Sequence, residues 1–416
     1  MTPDIRHGDM RDVLAAAIAA GETWHACVTD PPYHLTSIQK RFGKEGSAPA
    51  QYGKDGAFSR LSSGFMGKAW DGGDVAFRPE TWRRVYDVLR PGAWLVAFGG
   101  TRTQHRMTCA IEDAGFEIRD QLLWVYGTGL PKSHSVVRGI DGPSDPDVGP
   151  SPPSLKAAPW AGYGTALKPS YEPIILARKP LDGTVAGNAL RHGCGGVNID
   201  GCLVPAETGR QSGWSKSGSK ASENAAMSGR NYARNPKPDN PVGRWPPNLL
   251  HDGSPEVLDA FARFGERPGQ QGRARTDGVN QTSVALGDKR AVSMNPDPRG
   301  DSGTAARFFP ALGYTDDDLR FFYCAKAPRS ERAGSKHPTV KPLALTRWLV
   351  KLVTPPGGRV LDPFAGTGTT LAAARDLGIG ATGIEMTDEY ITDIRRRLGV
   401  TVDLPTLLRE ALAGRE

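Results

Sequence analysis

The sequence predicts an α/β protein built on a doubly wound, mostly parallel sheet that carries a large insertion. Three observations lead there. Short apolar runs of strand length alternate with amphipathic helical segments. Two of those runs end in distinctive turns, Asp30-Pro31-Pro32-Tyr33 and Asp362-Pro363-Phe364-Ala365-Gly366-Thr367-Gly368-Thr369. The composition then shifts from about residue 182 and returns to an alternating pattern near residue 326.

In chain order, residues 4–9 read as a short edge strand ending in Gly8-Asp9, and residues 11–20 as a helix stopped by Gly21. The apolar run His25-Ala26-Cys27-Val28-Thr29 predicts a buried strand. Pro31 and Pro32 end it, because neither can donate a ladder hydrogen bond. Residues 34–76 form a long loop with Lys40, Arg41, Lys44, Lys54, Arg60 and Lys68 among aromatic residues. A lid that touches phosphates and a solvated loop are both open readings of it. A helix over 79–89 stops before Pro91-Gly92, a strand over 93–98 stops at Gly99-Gly100, and a helix over 102–114 stops at Gly115. Strands over 121–126 and 171–178 follow without a clear helix between them, which suggests an antiparallel hairpin at the sheet edge.

Residues 205–241 and 266–308 are rich in Gly, Ser, Asn, Lys and Pro, and the second stretch carries Arg267, Arg273, Arg275, Lys289, Arg290, Arg299 and Arg307. Between them lies Gly243-Arg244-Trp245-Pro246-Pro247-Asn248. The chain is therefore divided into residues 1–181, an inserted region 182–325 and residues 326–416. The insertion's basic, polar character fits contacts to a nucleic-acid backbone and to base edges; flexible linkers around a small satellite core are the alternative. A helix over 343–353, a strand ending at Asp362, a helix opened by Thr369 and Thr370, and a strand over 380–385 ending in Glu385 complete the pattern.

Composition narrows the class. A chain of 416 residues with net charge +7 favours a polyanionic partner. Five cysteines, an odd number at irregular positions, argue for a reducing cytoplasm rather than a disulfide framework. His192-x-Cys194 with Cys202 lacks a second ligand pair, so no metal is expected. The N-terminal mixture of Asp4, Arg6, Asp9, Arg11 and Asp12 reads as a capped helix rather than a signal peptide, and no stretch is long enough to span a membrane.

Each turn suggests chemistry. Asp30 and the Pro31 carbonyl can accept hydrogen bonds and Tyr33 offers a flat face, a set suited to a planar ring with an exocyclic amine. A plain strand-to-turn junction is the bland alternative. Gly366 and Gly368 permit a tight turn and close backbone approach, and the helix that follows offers free amides to a carboxylate or phosphate. Glu385, about twenty residues on, is placed to hold ribose hydroxyls. Leu371 stands where a dinucleotide fingerprint has its third glycine, and no Gly-Lys-Ser/Thr is present, so NAD and ATP are disfavoured. A nucleoside bearing a small carboxylate, such as S-adenosylmethionine, fits better. Lys336-His337-Pro338-Thr339-Val340-Lys341-Pro342, just upstream, would pass beside the glycine turn.

With these three motifs in this order, the chain resembles the DNA amino-methyltransferases, and the order is similar to their beta class, which includes many solitary bacterial and phage enzymes. The resemblance covers about residues 4–181 and 321–395. It implies a seven-stranded Rossmann-like class I methyltransferase sheet with an inserted target-recognition region. It implies Asp30, Pro31, Pro32 and Tyr33 as the catalytic motif. For S-adenosylmethionine it implies a site drawn from Asp9, Met10, Asp30, His337, Pro338, Thr339, Lys341, Asp362, Phe364, Ala365, Gly366, Gly368, Thr369, Thr370 and Glu385. Within that site Asp9 would accept from the adenine amine, Glu385 would hold the ribose, and residues 337–341 would flank the methionine part. The implied activity is adenine-N6 methylation of double-stranded DNA by base flipping, within restriction-modification, by a homodimer. Cytosine N4 is the runner-up. An RNA base, a protein amide and an inactive binding protein are the remaining alternatives.

Overall fold

The computed structural model describes residues 2–34, 74–127, 129, 133–142, 152–205, 243–266, 303–313 and 340–400. An eight-stranded sheet runs in the order β1-β8-β7-β2-β3-β5-β4-β6. The strands are β1 (Asp4–His7), β2 (Trp24–Thr29), β3 (Leu89–Phe98), β4 (Glu117–Val125), β5 (Tyr171–Arg178), β6 (Leu249–His251), β7 (Arg359–Asp362) and β8 (Gly380–Glu385). β5 is antiparallel to both β3 and β4, and every other pairing is parallel. The first seven strands in that order account for the expected seven-stranded sheet. The eighth, β6, comes from the range read as an insertion, so part of that range is built onto the sheet.

The helices are α1 (Met10–Ala19), α2 (Pro79–Val88), α3 (Gln104–Asp113), α4 (Val136–Asp141), α5 (Val185–His192), α6 (Pro255–Ala262), α7 (Leu343–Val353), α8 (Thr369–Asp376) and α9 (Asp388–Leu398). Two apolar clusters show the layering. Met10, Leu14, Trp82, Val85 and Ile111 of α1, α2 and α3 bury one sheet face with Cys27, Leu95 and Ile175. Leu345, Leu349, Leu371, Ala373 and Ile394 of α7, α8 and α9 bury the other with Val28, Val96 and Val360. Because side chains alternate along a strand, adjacent residues such as Cys27 and Val28 enter different clusters, as a strand covered on both faces requires.

Several expected boundaries shift. β3 begins at Leu89, so Pro91 and Gly92 lie within it; Gly92 has φ +76°, and the β2–β3 register shifts between Trp24 and Ala26. Asn188 of α5 holds this stretch down by donating to the carbonyls of Pro91 (2.9 Å) and Cys194 (2.8 Å). The β4–β5 pair is antiparallel as expected, but it is not the sheet edge, because β6 pairs beyond β4. Cys202 belongs to the core, and the Cys194 thiol donates to the Pro91 carbonyl at 3.2 Å. No helix among the described residues is long and apolar enough to cross a membrane.

Connectivity sets the position of the site. From β7 the chain passes through α8 to β8 on one side, while β2 passes through α2 to β3 on the other. The winding therefore reverses between the neighbours β7 and β2. Ligands of open α/β sheets bind in the crevice at such a reversal, beyond the carboxyl ends of the strands. Asp362 ends β7 and Asp30 follows β2, so both turns open into the same crevice.

Candidate active site

Residues beyond β2 form the first half of the site. Pro31 and Pro32 are buried, and the chain turns at His34, whose φ of +44° is the one positive value at a non-glycine position among the described residues. Thr103 donates to the Tyr33 carbonyl at 2.7 Å and fixes the end of the motif. A Cβ on Gly100 would sit 3.1 Å from the Tyr33 ring, so the bare glycine lets that ring lie close to the backbone.

Lys341 reaches this motif from the segment that enters α7. Its Nζ donates to Asp30 Oδ2 at 2.7 Å and lies 3.3 Å from Glu172 Oε2. The same nitrogen stands 5.2 Å from the centre of the Tyr33 ring and 5.0 Å from that of Phe98. The Tyr33 hydroxyl donates to Glu172 Oε2 at 3.0 Å. Burial, with the Asp30 and Glu172 carboxylates alongside, pushes the Tyr33 phenol well above its usual range, so the hydroxyl stays a donor.

The glycine turn forms the second half. Gly366 (φ +52°) and Gly368 (φ +77°) carry the chain from β7 into α8, with Gly368 at the helix cap. The Glu385 carboxylate accepts from the amides of Gly366 and Thr387, both at 2.9 Å, and so ties the turn to the end of β8. Burial raises the Glu385 pKa against the pull of these amides. Asp362 is buried and accepts from Thr29 Oγ1 (2.7 Å) and the Phe364 amide (3.1 Å). Burial still dominates and lifts its pKa from 3.8 to about 6.

This has a consequence for stability. With its pKa raised on folding, Asp362 binds protons more tightly in the folded than in the unfolded chain, so its contribution to stability falls as pH rises between about 4 and 6. The span of about two units corresponds to ~3 kcal/mol. Asp362→Asn keeps an acceptor for Thr29 and Phe364 without the buried charge. It should be more stable than wild type in urea unfolding at pH 8, with the gain shrinking toward pH 4. Parallel stability curves for the two proteins would contradict burial as the cause.

Between the halves lies a cleft. Thr29, Asp30 and Phe98 line one side, Val340, Lys341 and Thr346 another, and Asp362, Phe364, Ala365, Gly366, Thr367, Thr369 and Thr370 the floor. Of the residues expected at the cofactor, Asp30, Lys341, Asp362, Phe364, Ala365, Gly366, Thr369 and Thr370 meet here, while Gly368 and Glu385 do not line the cleft. Asp9 caps α1 and its carboxylate accepts from the Arg11 amide (2.8 Å) and Nε (2.9 Å), so any role toward adenine competes with that ion pair. Asp9 nevertheless stands near Glu385, because the amide of Gly8 donates to the Glu385 carbonyl. Met10 packs in the core under α1. His337, Pro338 and Thr339 lie outside the described residues, as do the basic positions of the 34–76 loop. Glu172, Phe98 and Thr29 were not legible as site residues. The signal available for Glu172 was a lone acid before Pro173 in an otherwise apolar strand.

A doubly wound sheet with a glycine turn at its switch point and an acid closing the next strand is an architecture that holds nucleoside ligands at the crevice. The chain matches the family model described as DNA methylase over residues 24–396. It belongs to that family, and is an S-adenosylmethionine-dependent DNA methyltransferase. It is 22% identical over 396 residues to the Type II methyltransferase M.HindIII of Haemophilus influenzae, covering 90% of this chain and 89% of that one. A shorter match, 41% over 68 residues, is to the Type II methyltransferase M2.DpnII of Streptococcus pneumoniae, covering 16% of this chain and 25% of that one. Among solved structures, M1.HpyAVI is similar at 14% identity and a TM-score of 0.40, over 96% of this chain and all of that one.

The residues present fit the cofactor. The turn exposes backbone to the cleft at Gly366 and Thr367, next to the amide-bearing start of α8. Glu385 stands beside that turn, its carboxylate held by the amides of Gly366 and Thr387.

Proposed function

We propose that this enzyme methylates adenine N6 within a short specific site of duplex DNA. The observation that carries the reading is the anionic acceptor Asp30, which lines the cofactor cleft with Tyr33 beside it. A ring amine is a poor nucleophile because its lone pair is delocalised. Hydrogen bonds from the amine to the Asp30 carboxylate and the Pro31 carbonyl favour a pyramidal nitrogen with a localised lone pair. The Tyr33 ring, pinned at its hydroxyl and carbonyl, is the stacking surface for the base. Bound S-adenosylmethionine supplies an electrophilic methyl group on a sulfonium. The chain's task is then to align the amine and to exclude water, so proximity and fixed electrostatics carry much of the acceleration. The base must leave the helix to enter the crevice, at a cost of about a few kcal/mol.

Adenine is favoured over cytosine by residue 30. In families of this resemblance Asp at the first motif position goes mostly with adenine and Ser with cytosine, and a carboxylate is the stronger acceptor. DNA methylated in vitro, digested to nucleosides and analysed by mass spectrometry should contain N6-methyladenine. N4-methylcytosine as the main product would overturn the adenine assignment and leave the cofactor site intact.

Target recognition is assigned to residues 182–325, and above all to residues 206–242, which hold Arg210, Lys216, Lys220, Arg230, Arg234 and Lys237 against Glu207, Glu223 and Asp239. Val204 and Arg244 exchange backbone hydrogen bonds at 3.0 and 2.8 Å, so the ends of this stretch meet. Replacing 206–242 by a short Gly-Ser turn should therefore keep the fold and cofactor affinity while abolishing site preference. An unchanged methylation pattern in that variant would exclude the assignment. A homodimer in the cytoplasm, acting in a restriction-modification setting, completes the proposal; the Type II names of the relatives support that setting.

A further inference from the structure

We propose that Glu172 and Lys341 are positioning residues that hold the Asp30 carboxylate and the Tyr33 ring in their working arrangement. The inference rests on the reading of Asp30 and Tyr33 as the groups that face the target base. Lys341 has a side chain only 8% exposed, and a cation so buried must be paired. It pairs with carboxylates from distant parts of the chain, Asp30 beyond β2 and Glu172 on β5. β5 brings Glu172 here because it runs against its neighbours, so its first residues, not its last, lie at the edge where β3 ends. The Gly99 amide donates to the Pro173 carbonyl at 2.9 Å and marks that juxtaposition.

The arrangement has an internal logic. Glu172 Oε2 takes the Tyr33 hydroxyl and faces the Lys341 ammonium, so one oxygen links the stacking ring to the cation. The ammonium in turn takes Asp30 Oδ2 and covers the faces of Tyr33 and Phe98. Among the described residues, the charged and titratable groups facing Asp30 are Lys341, Glu172 and Tyr33, with Asp362 at the end of the adjoining strand. Without the lysine, the Asp30 and Glu172 carboxylates lose the cation that stands within 3.3 Å of both. Without Glu172, Lys341 loses one of its carboxylates and the Tyr33 hydroxyl loses the acceptor it holds at 3.0 Å.

The test is kcat for methyl transfer into plasmid DNA set against cofactor affinity by calorimetry, which checks that each variant is folded. Lys341→Met should lower kcat about tenfold or more, and Lys341→Arg, which keeps a cation beside both carboxylates, should recover part of that loss. Glu172→Gln keeps an acceptor for Tyr33. Glu172→Ala does not, and should lower kcat about tenfold or more while cofactor affinity stays within about threefold. Adding Tyr33→Phe to Glu172→Ala should then cost less than about twofold further, because the shared bond is already gone. A kcat unchanged in Lys341→Met or in Glu172→Ala would overturn the proposal, as would additive effects of Glu172→Ala and Tyr33→Phe. A wild type that methylates no DNA base would overturn the underlying reading as well, so the two failures are distinguishable.

Discussion

Asp30→Ala should abolish methyl transfer and leave cofactor affinity within about tenfold, or about 1.4 kcal/mol. The carboxylate lines the cleft beside β2, while the tie between glycine turn and strand end runs through Glu385, on the far side of β7. A single preorganised acceptor at a reacting group is worth about 10²–10³ in rate. The substitution also removes one of the two carboxylates paired with buried Lys341, so the loss should reach the upper part of that range or exceed it. Glu172 remains for the lysine, which is why the fold should survive. Single-turnover transfer and calorimetric cofactor binding measure the two effects separately. Equal loss of both would mean that Asp30 holds the cofactor and does not act on the base.

Glu385→Ala should show the reverse pattern. Its carboxylate accepts from the Gly366 amide at the glycine turn and from the Thr387 amide just past β8, and removing it strands both of these partly buried donors. Each unsatisfied buried donor costs about 1–3 kcal/mol. The turn should loosen, stability should fall by a few kcal/mol, and cofactor affinity should drop at least about hundredfold, ~2.7 kcal/mol. Glu385→Gln is a poor rescue, because its amide nitrogen would meet one of two backbone donors. Saturating cofactor should restore much of the turnover in either variant. Persistent loss of kcat at saturation would place Glu385 in the chemical step instead.

The two turns were legible because their chemistry is local. Asp30-Pro31-Pro32-Tyr33 and the glycine turn each combine a strand end, a backbone constraint and a polar group within a few residues, and the sheet needed only to bring β2 and β7 together. The same locality made the bounds of β8 and α7 readable from apolar runs and flanking glycine or proline. Glu172 was not legible, since its meeting with Tyr33 spans 139 residues and depends on β5 entering the sheet in reverse between β3 and β4. Lys341 was expected beside the methionine part of the cofactor and does line the cleft, but its partner is Asp30. The pairing of a lysine in one motif with an aspartate in another is a property of the crevice, which neither motif contains. α9 carries its own signals, with Asp388 and Glu389 in the first turn, Tyr390, Ile391, Ile394 and Leu398 on one face and Gly399 after the end, and it buries that face on α8 and β8. β6 is three residues long in a polar region, and only the sheet edge offered by β4 makes it a strand.

The central claim is that this crevice transfers a methyl group to an exocyclic amine of a DNA base. The most direct measurement incubates the wild-type enzyme and Asp30→Ala with radiolabelled S-adenosylmethionine and an equal mixture of unmethylated plasmid DNA, RNA and protein, then counts label in each fraction. Wild type should label the DNA alone, and the label should saturate at a fixed number of methyl groups per plasmid, while Asp30→Ala labels nothing. Label accumulating in RNA or protein, or an Asp30→Ala enzyme as active on DNA as wild type, would contradict it.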